Sequence, residues 1–265
     1  MRPAFRTAAR VLGLRRNDLL AARVRYERTL IPTVHRRPRI VKGRVLCYHS
    51  IGTPEWGIND VPPKLFHSQL EMAVRLGYRF VPAEKIAAGL CEDQDLAVTF
   101  DDGLKSVLEN AAPILAGFGI PWNLFVVCDW ADGKHDRPEL FMRWHEIREL
   151  AKIGVAIGSH SVTHPDFGQL SDDDARVELW DSRRVIRDRT GIGVDSFAIP
   201  FGQSRNWRPV LSKVAESLGY RAIFAQAADT RAEGTVPRTF VTRFDGARIF
   251  KAALEGAFDR WEEPA

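Results

Sequence analysis

The sequence predicts an α/β protein built around a parallel sheet. From residue 44 onward, seven apolar segments of strand length alternate with six longer segments of helical character, an order typical of a parallel sheet. Several strand segments are apolar at successive positions, as in Leu124-Phe125-Val126-Val127, which is typical of strands that helices cover on both faces. The sheet is either open or closed as a barrel. Both forms gather functional residues at the carboxyl ends of the strands.

The elements can be placed by their composition and their boundary residues. The predicted strands cover residues 44–49, 96–100, 122–128, 154–158, 196–199, 221–225 and 236–244. The predicted helices cover residues 64–76, 105–117, 139–152, 172–190, 207–218 and 246–258. Ser171 and the three aspartates after it predict a helix start, because a serine cap and an acidic first turn both favour a helix N-terminus. Gly119 and Gly191 indicate where two helices end.

Charge divides the chain into two regions. The net charge is +4, but residues 1–44 contain 13 lysines and arginines and only two acidic residues. The remainder contains 25 basic and 32 acidic side chains. We therefore expect a basic N-terminal arm and linker over residues 1–43, followed by a mildly acidic domain over residues 44–258. No nucleic-acid partner is expected.

The basic arm has helical character over residues 1–31, and Pro32 and Pro38 bracket a short basic linker. One interpretation is a surface helix that binds an anionic membrane or another acidic partner. The other is a helix packed on the domain with a solvated basic face. The irregular spacing of the arginines slightly favours the second interpretation.

Cysteine usage and the absence of long apolar runs bear on the compartment. Cys47, Cys91 and Cys128 have no paired spacing, which suits small core residues in a reducing compartment. No apolar run reaches the length of a membrane span, and no apolar segment follows the first arginines as in a secretory signal. We expect a cytoplasmic protein, with the arm as a means of peripheral attachment to the inner membrane face.

Two short motifs carry the chemistry. Thr99-Phe100-Asp101-Asp102-Gly103 places two carboxylates at the end of one predicted strand, and Ser159-His160-Ser161-Val162-Thr163-His164 places two imidazoles at the end of another. One carboxylate with two histidines is a ligand set of open metal sites. Taken singly, the aspartates also suit a helix N-cap and the histidines an exposed loop. Their joint occurrence at strand ends favours metal-assisted hydrolysis.

A third strand end carries Pro200-Phe201-Gly202. Proline and glycine on either side of one aromatic residue indicate a fixed loop, whose backbone N–H can face a developing oxyanion. An ordinary turn is the alternative. Trp144 is a further candidate, since its indole can stack on a sugar ring, although core aromatic residues are commoner.

Together these motifs resemble those of the polysaccharide deacetylases, carbohydrate esterases that remove acetyl groups from chitin-like, peptidoglycan or exopolysaccharide chains. The resemblance covers residues 44–245, with the motifs at 99–103, 159–164 and 200–202 in the family's order. Cys47-Tyr48-His49-Ser50 is similar to the Tyr-His opening strand of one branch. The resemblance implies an irregular (β/α)₇ barrel, preceded here by the basic helical extension.

The resemblance also implies roles for individual residues. Asp101 would be the catalytic base, and the backbone amide of Phe201 would help to hold the oxyanion. Asp102, His160 and His164 would bind a divalent metal, zinc first, with cobalt, nickel or manganese as alternatives. Pro200 and Gly202 would lie against an acetylated glycan substrate.

Two departures from the family pattern matter. The arginine that orients the base in many members, two residues before the third-motif proline, is replaced by Ala198, and Arg238 or Arg243 could take that role. The family's catalytic acid is a late histidine, but no histidine follows His164. His49 at the end of the first strand is the best substitute, and a structural role for it is weighted equally.

The function expected from the sequence is therefore metal-dependent removal of acetyl groups, N-acetyl above all, from a glycan or glycoconjugate. One alternative is hydrolysis of a non-sugar amide on the same scaffold. The other is a glycan-binding pseudoenzyme, which the missing late histidine suggests.

Overall fold

A computed structural model describes residues 16–34 and 42–264 of this chain. The first half of the predicted N-terminal helical segment and most of the predicted linker lie outside the described residues. None of the helices in the described ranges is long and apolar enough to cross a bilayer.

Parallel strands close into a barrel, as the resemblance implied. The strands are Arg44–Tyr48 (β1), Ser50–Ile51 (β2), Asp60–Val61 (β3), Arg79–Phe80 (β4), Asp95–Phe100 (β5), Trp122–Val126 (β6), Ala156–Ser159 (β7), Ser196–Ala198 (β8), Ala222–Gln226 (β9) and Val236–Phe240 (β10). The order β1-β5-β6-β7-β8-β9-β10 returns to β1, and every pair is parallel. Val45 lies opposite Ala97 of β5 on one side and opposite Arg238 of β10 on the other. This double pairing of β1 confirms the predicted seven-stranded barrel.

Helices cover the outside of the barrel. They are Arg16–Val34 (α1), Pro63–Arg75 (α2), Ala83–Ala87 (α3), Ala112–Phe118 (α4), Cys128–Ala131 (α5), Trp144–Lys152 (α6), Asp172–Thr190 (α7), Pro209–Ser217 (α8) and Ala247–Leu254 (α9). Short 3₁₀ turns lie at Pro54–Asn59, Pro138–Leu140 and Ser204–Asn206, and a π turn lies at Val107–Ala111. α7 has the predicted bounds, because the Ser171 side chain accepts a hydrogen bond from the N–H of Asp174 and Gly191 adopts φ 80° at its end.

Some boundaries differ from the sequence prediction. α1 runs through Pro32 to Val34, so the predicted break at Pro32 is wrong. The predicted helix at 105–117 begins as the π turn, and the predicted helix at 139–152 is split by an extended Phe141. β2, β3, β4, α3 and α5 were not predicted, since elements of two to five residues carry no readable periodicity.

α1 packs on the barrel through its buried residues Val24 and Arg28. Nε of Arg28 donates to Oδ1 of Asp245 at 2.8 Å, and its guanidinium lies 3.8 Å from the ring centroid of Phe258. Arg44 is buried as well, with Nη1 2.6 Å from Oδ1 of Asp259. Two of the basic residues counted in the arm are therefore neutralised inside the protein. The boundary between arm and domain at residue 43 therefore stays a prediction, and it rests on the difference in charge between the two regions. α1 itself packs against the barrel.

Candidate active site

The carboxyl ends of the barrel strands form one rim, and the sequence motifs meet there. Asp101 and Asp102 follow β5, and His160 follows β7. Backbone bonds extend the strand pairing by one residue at each end, from Asp101 N to Tyr48 O at 3.0 Å and from His160 N to Val126 O at 2.9 Å. The barrel therefore fixes the backbone positions from which the Asp101 and His160 side chains extend.

Backbone strain is concentrated in the motif loops. Among the described residues, four that are not glycine have positive φ: Asp102 at 73°, Ser161 at 73°, His164 at 61° and Phe201 at 63°. Each lies in one of the three motifs. Such conformations cost roughly 1–3 kcal/mol apiece and cluster at functional sites, where the surrounding structure enforces them.

Asp102, His160 and His164 converge on one point. One ligand atom from each lies within 4.8 Å of the others. Oδ1 of Asp102 is 3.6 Å from Nε2 of His160 and 3.7 Å from Nε2 of His164. These separations are too long for hydrogen bonds, and they suit three ligands around a single ion. The donor set, one carboxylate and two imidazoles, fits zinc and similar divalent metals.

Both histidines are held ready to act as ligands. Nδ1 of His160 bonds to the carbonyl oxygen of Ala198 at 2.8 Å, which places the proton on Nδ1 and leaves Nε2 free toward Asp102. The ring of His164 stacks on Trp130 with centroids 5.0 Å apart. Burial lowers the pKa of both imidazoles, so both are neutral, as metal ligands must be.

Asp102 is a buried carboxylate with little positive charge beside it. Burial, and secondly the charge of Asp101, raise its pKa to about 8, while a hydrogen bond from Trp56 opposes that shift. No lysine or arginine nitrogen of the described residues lies within 4 Å of it. A cation shared with the two histidines would supply the missing charge, which is a further observation that a metal fits here.

Asp101 has the opposite environment. Oδ1 accepts from Nη1 of Arg238 at 2.6 Å and Oδ2 accepts from Nη2 at 2.7 Å, so the pair is bidentate and buried. The thiol of Cys47 donates to Oδ2 at 3.5 Å. Burial raises the pKa of Asp101, but the charge and hydrogen bonds of Arg238, together with the nearby His160 and His49, outweigh burial and hold that pKa well below its usual value. Asp101 is therefore ionised and fixed in direction.

The loop at Pro200-Phe201-Gly202 adjoins the metal-ligand group. The Phe201 ring is 52% exposed and its centroid lies 4.7 Å from that of His164. Phe201 and Gly202 both adopt positive φ, at 63° and 68°. Pro200 is buried. The loop thus presents one exposed aromatic side chain and a turned backbone at the rim.

Comparison with known proteins places this geometry in a family. The family model for polysaccharide deacetylases matches residues 91–223, half of the chain. The chain belongs to the polysaccharide deacetylase family. These enzymes are hydrolases of carbon–nitrogen bonds other than peptide bonds. The matched range contains the three motif loops, whereas His49 and Arg238 lie outside it.

Individual relatives agree with this assignment. A Bacillus subtilis (strain 168) protein, YxkH, provisionally assigned as a polysaccharide deacetylase, is 24% identical over 67% of this chain and 62% of its own length. The chitooligosaccharide deacetylase of Sinorhizobium fredii (strain NBRC 101917 / NGR234) is 31% identical over 34% of this chain and 38% of its own length. The chain thus spans less than two thirds of either curated relative.

Solved structures show that the fold is shared. The Streptococcus pyogenes deacetylase PplD, solved in complex with acetate, has a TM-score of 0.70 at 21% identity, covering 83% of this chain and 99% of that one. A polysaccharide deacetylase from Bacillus cereus has a TM-score of 0.67 at 21% identity, covering 80% of this chain and 69% of that one.

The structure separates the two arginines that the sequence left open for a deacetylase of this kind. Arg238 lies on β10 and points to Asp101. Arg243 lies beyond the strand end, is exposed, and donates from Nη1 to the carbonyl oxygen of Gly57 at 3.4 Å. Arg238 is therefore the arginine of the two that contacts Asp101, whereas the side chain of Arg243 bonds to the 54–59 turn.

Trp144 does not occupy the position expected of a substrate-binding residue. Its side chain is only 7% exposed and packs in the main core at the start of α6. Its Nε1 donates to Oδ1 of Asp132 at 2.7 Å. Both faces of the indole are thus committed to the protein interior, and the structure does not support contact with a sugar.

His49 lies beside the fixed carboxylate. Ligand atoms of Cys47, His49 and Asp101 all lie within 4.8 Å of one another. Nδ1 of His49 is buried and has no hydrogen-bond partner among the described residues. Burial lowers the pKa of this imidazole to about 4, so the ring is neutral at neutral pH. No carbonyl group of the described residues bonds to Nδ1. The catalytic and the structural roles of His49 both stay predictions.

Sequence reasoning missed two tryptophans at the rim. Trp56, in the turn after β2, lies against Phe141 with centroids 5.6 Å apart, and its side chain lowers the pKa of Asp102. Trp130, just after β6, stacks on His164 and also lies 4.8 Å from Phe141. Trp130 could have been found from its place after a strand end. Trp56 had no such signal, because the two-residue strands around its turn are invisible in the sequence.

Proposed function

We propose that this chain is a metal-dependent hydrolase that removes acetyl groups, N-acetyl groups above all, from a glycan or glycoconjugate. The observation that carries the proposal is the convergence of Asp102, His160 and His164 beside a second carboxylate, Asp101, that is already neutralised by Arg238. Membership of the polysaccharide deacetylase family supports the reaction class. The name of the Sinorhizobium fredii relative, a chitooligosaccharide deacetylase, supports an N-acetyl sugar.

In this proposal Asp102, His160 and His164 hold the divalent ion. Zinc is the first choice for two imidazoles and one carboxylate, and cobalt, nickel or manganese accept the same donors. When bound, such an ion lowers the pKa of a water molecule and polarises an acetyl carbonyl group.

Asp101 serves as the base that takes a proton from the attacking water. Its carboxylate is ionised throughout the neutral range because Arg238 holds its pKa well below the usual value. The bidentate contact also fixes the plane of the carboxylate. A base that is held in one direction needs little reorganisation when the proton moves.

The backbone N–H of Phe201 helps to stabilise the oxyanion that forms from the acetyl carbonyl group. Its loop lies against His164 and is held at positive φ, so the amide direction is set before substrate binds. A donor arranged in advance stabilises charge that develops only in the transition state. Pro200 and Gly202 shape this loop and complete the predicted substrate contact.

His49 supplies the proton that the leaving amine requires. With a pKa of about 4 it is neutral at rest, so it must first receive a proton. Asp101 is placed to pass one on, since their ligand atoms lie within 4.8 Å. The proton taken from water thus travels from Asp101 to His49 and then to the departing nitrogen, which keeps the proton balance closed.

The experiment that tests this function is acetate release from N-acetylated glucosamine oligomers by the zinc-loaded protein. We expect turnover that a chelator abolishes and that added zinc restores. Oligomer binding without any acetate release would favour the pseudoenzyme alternative. Release from small acetylated amines but not from oligomers would favour the non-sugar amide alternative.

The membrane partner remains a separate part of the proposal. In the described part of the arm, the side chains of Arg23, Arg25 and Tyr26 are exposed on α1. A basic face with an exposed aromatic residue suits peripheral binding to an anionic bilayer. Such binding would be consistent with the predicted cytoplasmic location at the inner membrane face.

A further inference from the structure

Gln226, the last residue of β9, fastens the Phe201 loop to the barrel. Its buried side chain donates from Nε2 to the carbonyl oxygen of Phe201 at 2.8 Å. Its own backbone N–H donates to the carbonyl oxygen of Gly202 at 2.8 Å. The two residues that Gln226 contacts are the two of this loop with positive φ. One glutamine therefore holds both turned peptide units, and the conformation of Phe201 is the strained one of the two.

The other end of the Gln226 amide is held by the C-terminal segment, residues 261–264. Oε1 of Gln226 accepts from the N–H of Glu263 at 2.7 Å. The neighbouring Glu262 accepts from the N–H of Ser204 at 2.8 Å, and Ser204 follows the Phe201 loop directly. This segment thus braces the loop at two points, through Gln226 and through Ser204.

We call the contacts of Gln226 with Phe201, Gly202 and Glu263 the clasp. The register of the barrel places the clasp next to the arginine that fixes the proposed catalytic carboxylate. Gln226 of β9 lies opposite Arg238 of β10. Arg238 fixes Asp101, and Gln226 fixes the loop of Phe201. Adjacent strand ends therefore orient the two groups between which the acetyl carbon would sit in the proposed reaction.

The geometry points to Gln226 as a positioning residue for the oxyanion-binding amide of Phe201, with the C-terminal segment as the brace that holds Gln226 in place. This inference rests on the proposed function, because it assumes that the Phe201 amide faces the oxyanion. A non-glycine residue at positive φ returns to an ordinary conformation when its restraints are removed. Losing the bond to the carbonyl oxygen of Phe201 would free ψ of that residue. Its positive φ could then relax, which would turn the preceding peptide and the Phe201 N–H that it carries away from the reacting group.

The decisive variant is Gln226→Leu, which keeps most of the side-chain bulk and removes both amide contacts. We expect kcat to fall about tenfold, less than the roughly 10²–10³-fold that follows complete loss of an oxyanion donor. KM and zinc affinity should stay within about twofold, because substrate and ion are bound by other groups. The loss should be equal for an N-acetyl sugar and an aryl acetate, since both pass through the same oxyanion.

Gln69→Leu is the matched control. Gln69 is also a buried glutamine with two side-chain contacts, accepting from the Tyr48 hydroxyl at 3.0 Å and donating to the carbonyl oxygen of Asp245 at 2.8 Å. Both variants should lower the melting temperature to a similar extent. Only Gln226→Leu should lower kcat, which separates a positioning role from a general loss of stability.

Gln226→Glu divides the clasp into its two halves. It keeps an acceptor for the Glu263 N–H and replaces the donor toward the Phe201 carbonyl oxygen, so it should lose kcat as Gln226→Leu does. Wild-type kcat in this variant would overturn the inference.

Amide hydrogen exchange provides a readout that needs no turnover. The backbone amides of residues 226 and 263 donate to the carbonyl oxygen of Gly202 and to Oε1 of Gln226, respectively. Both should exchange faster in Gln226→Leu than in the wild type or in Gln69→Leu. If the wild type releases no acetate from any substrate, the proposed function is wrong. The exchange rates would still test whether Gln226 holds the Phe201 loop. Unchanged exchange at these amides in Gln226→Leu would overturn the clasp itself.

Discussion

Asp101 and Asp102 are consecutive and equally buried, yet the regions around them are built in opposite ways. On the side of Asp101, Arg238 and the thiol of Cys47 satisfy the carboxylate. On the side of Asp102, two neutral imidazoles stand 3.6 and 3.7 Å away, beyond hydrogen-bond distance. The pKa of Asp101 lies well below its usual value, whereas that of Asp102 is raised to about 8.

This difference shows how one backbone turn separates two functions. Asp102 adopts φ 73°, which directs its side chain to a different side from that of Asp101. The region of Asp101 is electrostatically complete without any added group. A cation would complete the region of Asp102, so we infer that the order of this region depends on metal and that the order of the Asp101 region does not.

The largest expected effect follows from replacing the carboxylate of Asp102, which has no arginine beside it. Asp102→Asn should weaken zinc affinity by at least ~10²-fold, since losing even an outer partner of a ligand costs 10–100-fold. Activity should fall to that of the metal-free protein. Competition with a chromophoric chelator measures the affinity. Wild-type affinity in this variant would remove Asp102 from the ligand set.

The same change at Asp101, whose carboxylate Arg238 neutralises, should leave the metal in place. Asp101→Asn should lower kcat by ~10²-fold or more if Asp101 is the general base, with zinc affinity close to that of the wild type. Zinc titration and steady-state kinetics on the same preparation test both statements. Nearly full activity would mean that another group takes the proton, and a large loss of zinc would mean that the two regions are not independent.

The third effect depends on the leaving group. His49→Ala should lower kcat for an N-acetyl sugar by about 10²-fold, because an amine leaves poorly without a proton. An aryl acetate, whose phenolate leaves readily, should be hydrolysed at nearly the wild-type rate. Parallel assays on the two substrates measure the ratio. Equal losses on both would give His49 a structural role instead.

A smaller effect is expected from exchanging the arginine that completes the Asp101 region. Arg238→Lys keeps the charge but replaces a rigid fork of donors by a single point charge, so the carboxylate is less well oriented and kcat should fall about tenfold. Arg243→Lys is the matched control, since Arg243 is exposed and hydrogen-bonds to the 54–59 turn. If both variants lose activity alike, the bidentate contact does not matter for the reaction.

The smallest effect lies outside both regions. Replacing Arg23 and Arg25 of α1 by glutamate should weaken sedimentation with anionic vesicles and leave zinc affinity and kcat unchanged. Wild-type binding should itself weaken with salt, as the Debye length falls from about 10 Å at 0.1 M to about 3 Å at 1 M. These two exposed arginines are a better target than deletion of the arm, which would also strip Arg28 from the buried carboxylate of Asp245. If the bound fraction changes neither with salt nor on replacement of the two arginines by glutamate, electrostatic attachment is excluded.

The barrel and the candidate metal ligands could be predicted from the sequence because their signals are local. Asp102 and His160 lie within two residues of the ends of apolar strands, and His164 lies four residues after His160. Parallel strands bring their ends to one rim. The sequence could not decide between Arg238 and Arg243, because the decision depends on the position of Asp101, which is 137 residues away from Arg238 in the chain.

Other features were hidden for the same reason. Trp144 and Trp130 look alike in sequence, and only packing buries one and leaves the other beside His164. The helix through Pro32 is stabilised by Arg28 in the interior, which local propensity does not report. The clasp of Gln226 depends on three distant segments and has no sequence signal at all.

The double pairing of β1 has a consequence for synthesis of the protein. β1 emerges from the ribosome early and finds β5 soon afterwards, but its other edge stays unpaired until β10 has been made. Arg238 arrives with β10, so a nascent chain that already contains both aspartates and both histidines still lacks the counter-charge of Asp101. Because closure joins segments so far apart in sequence, it is a late and slow step of folding. A chaperone that shields the free edge of β1 would therefore act on the same event that gives Asp101 its counter-charge.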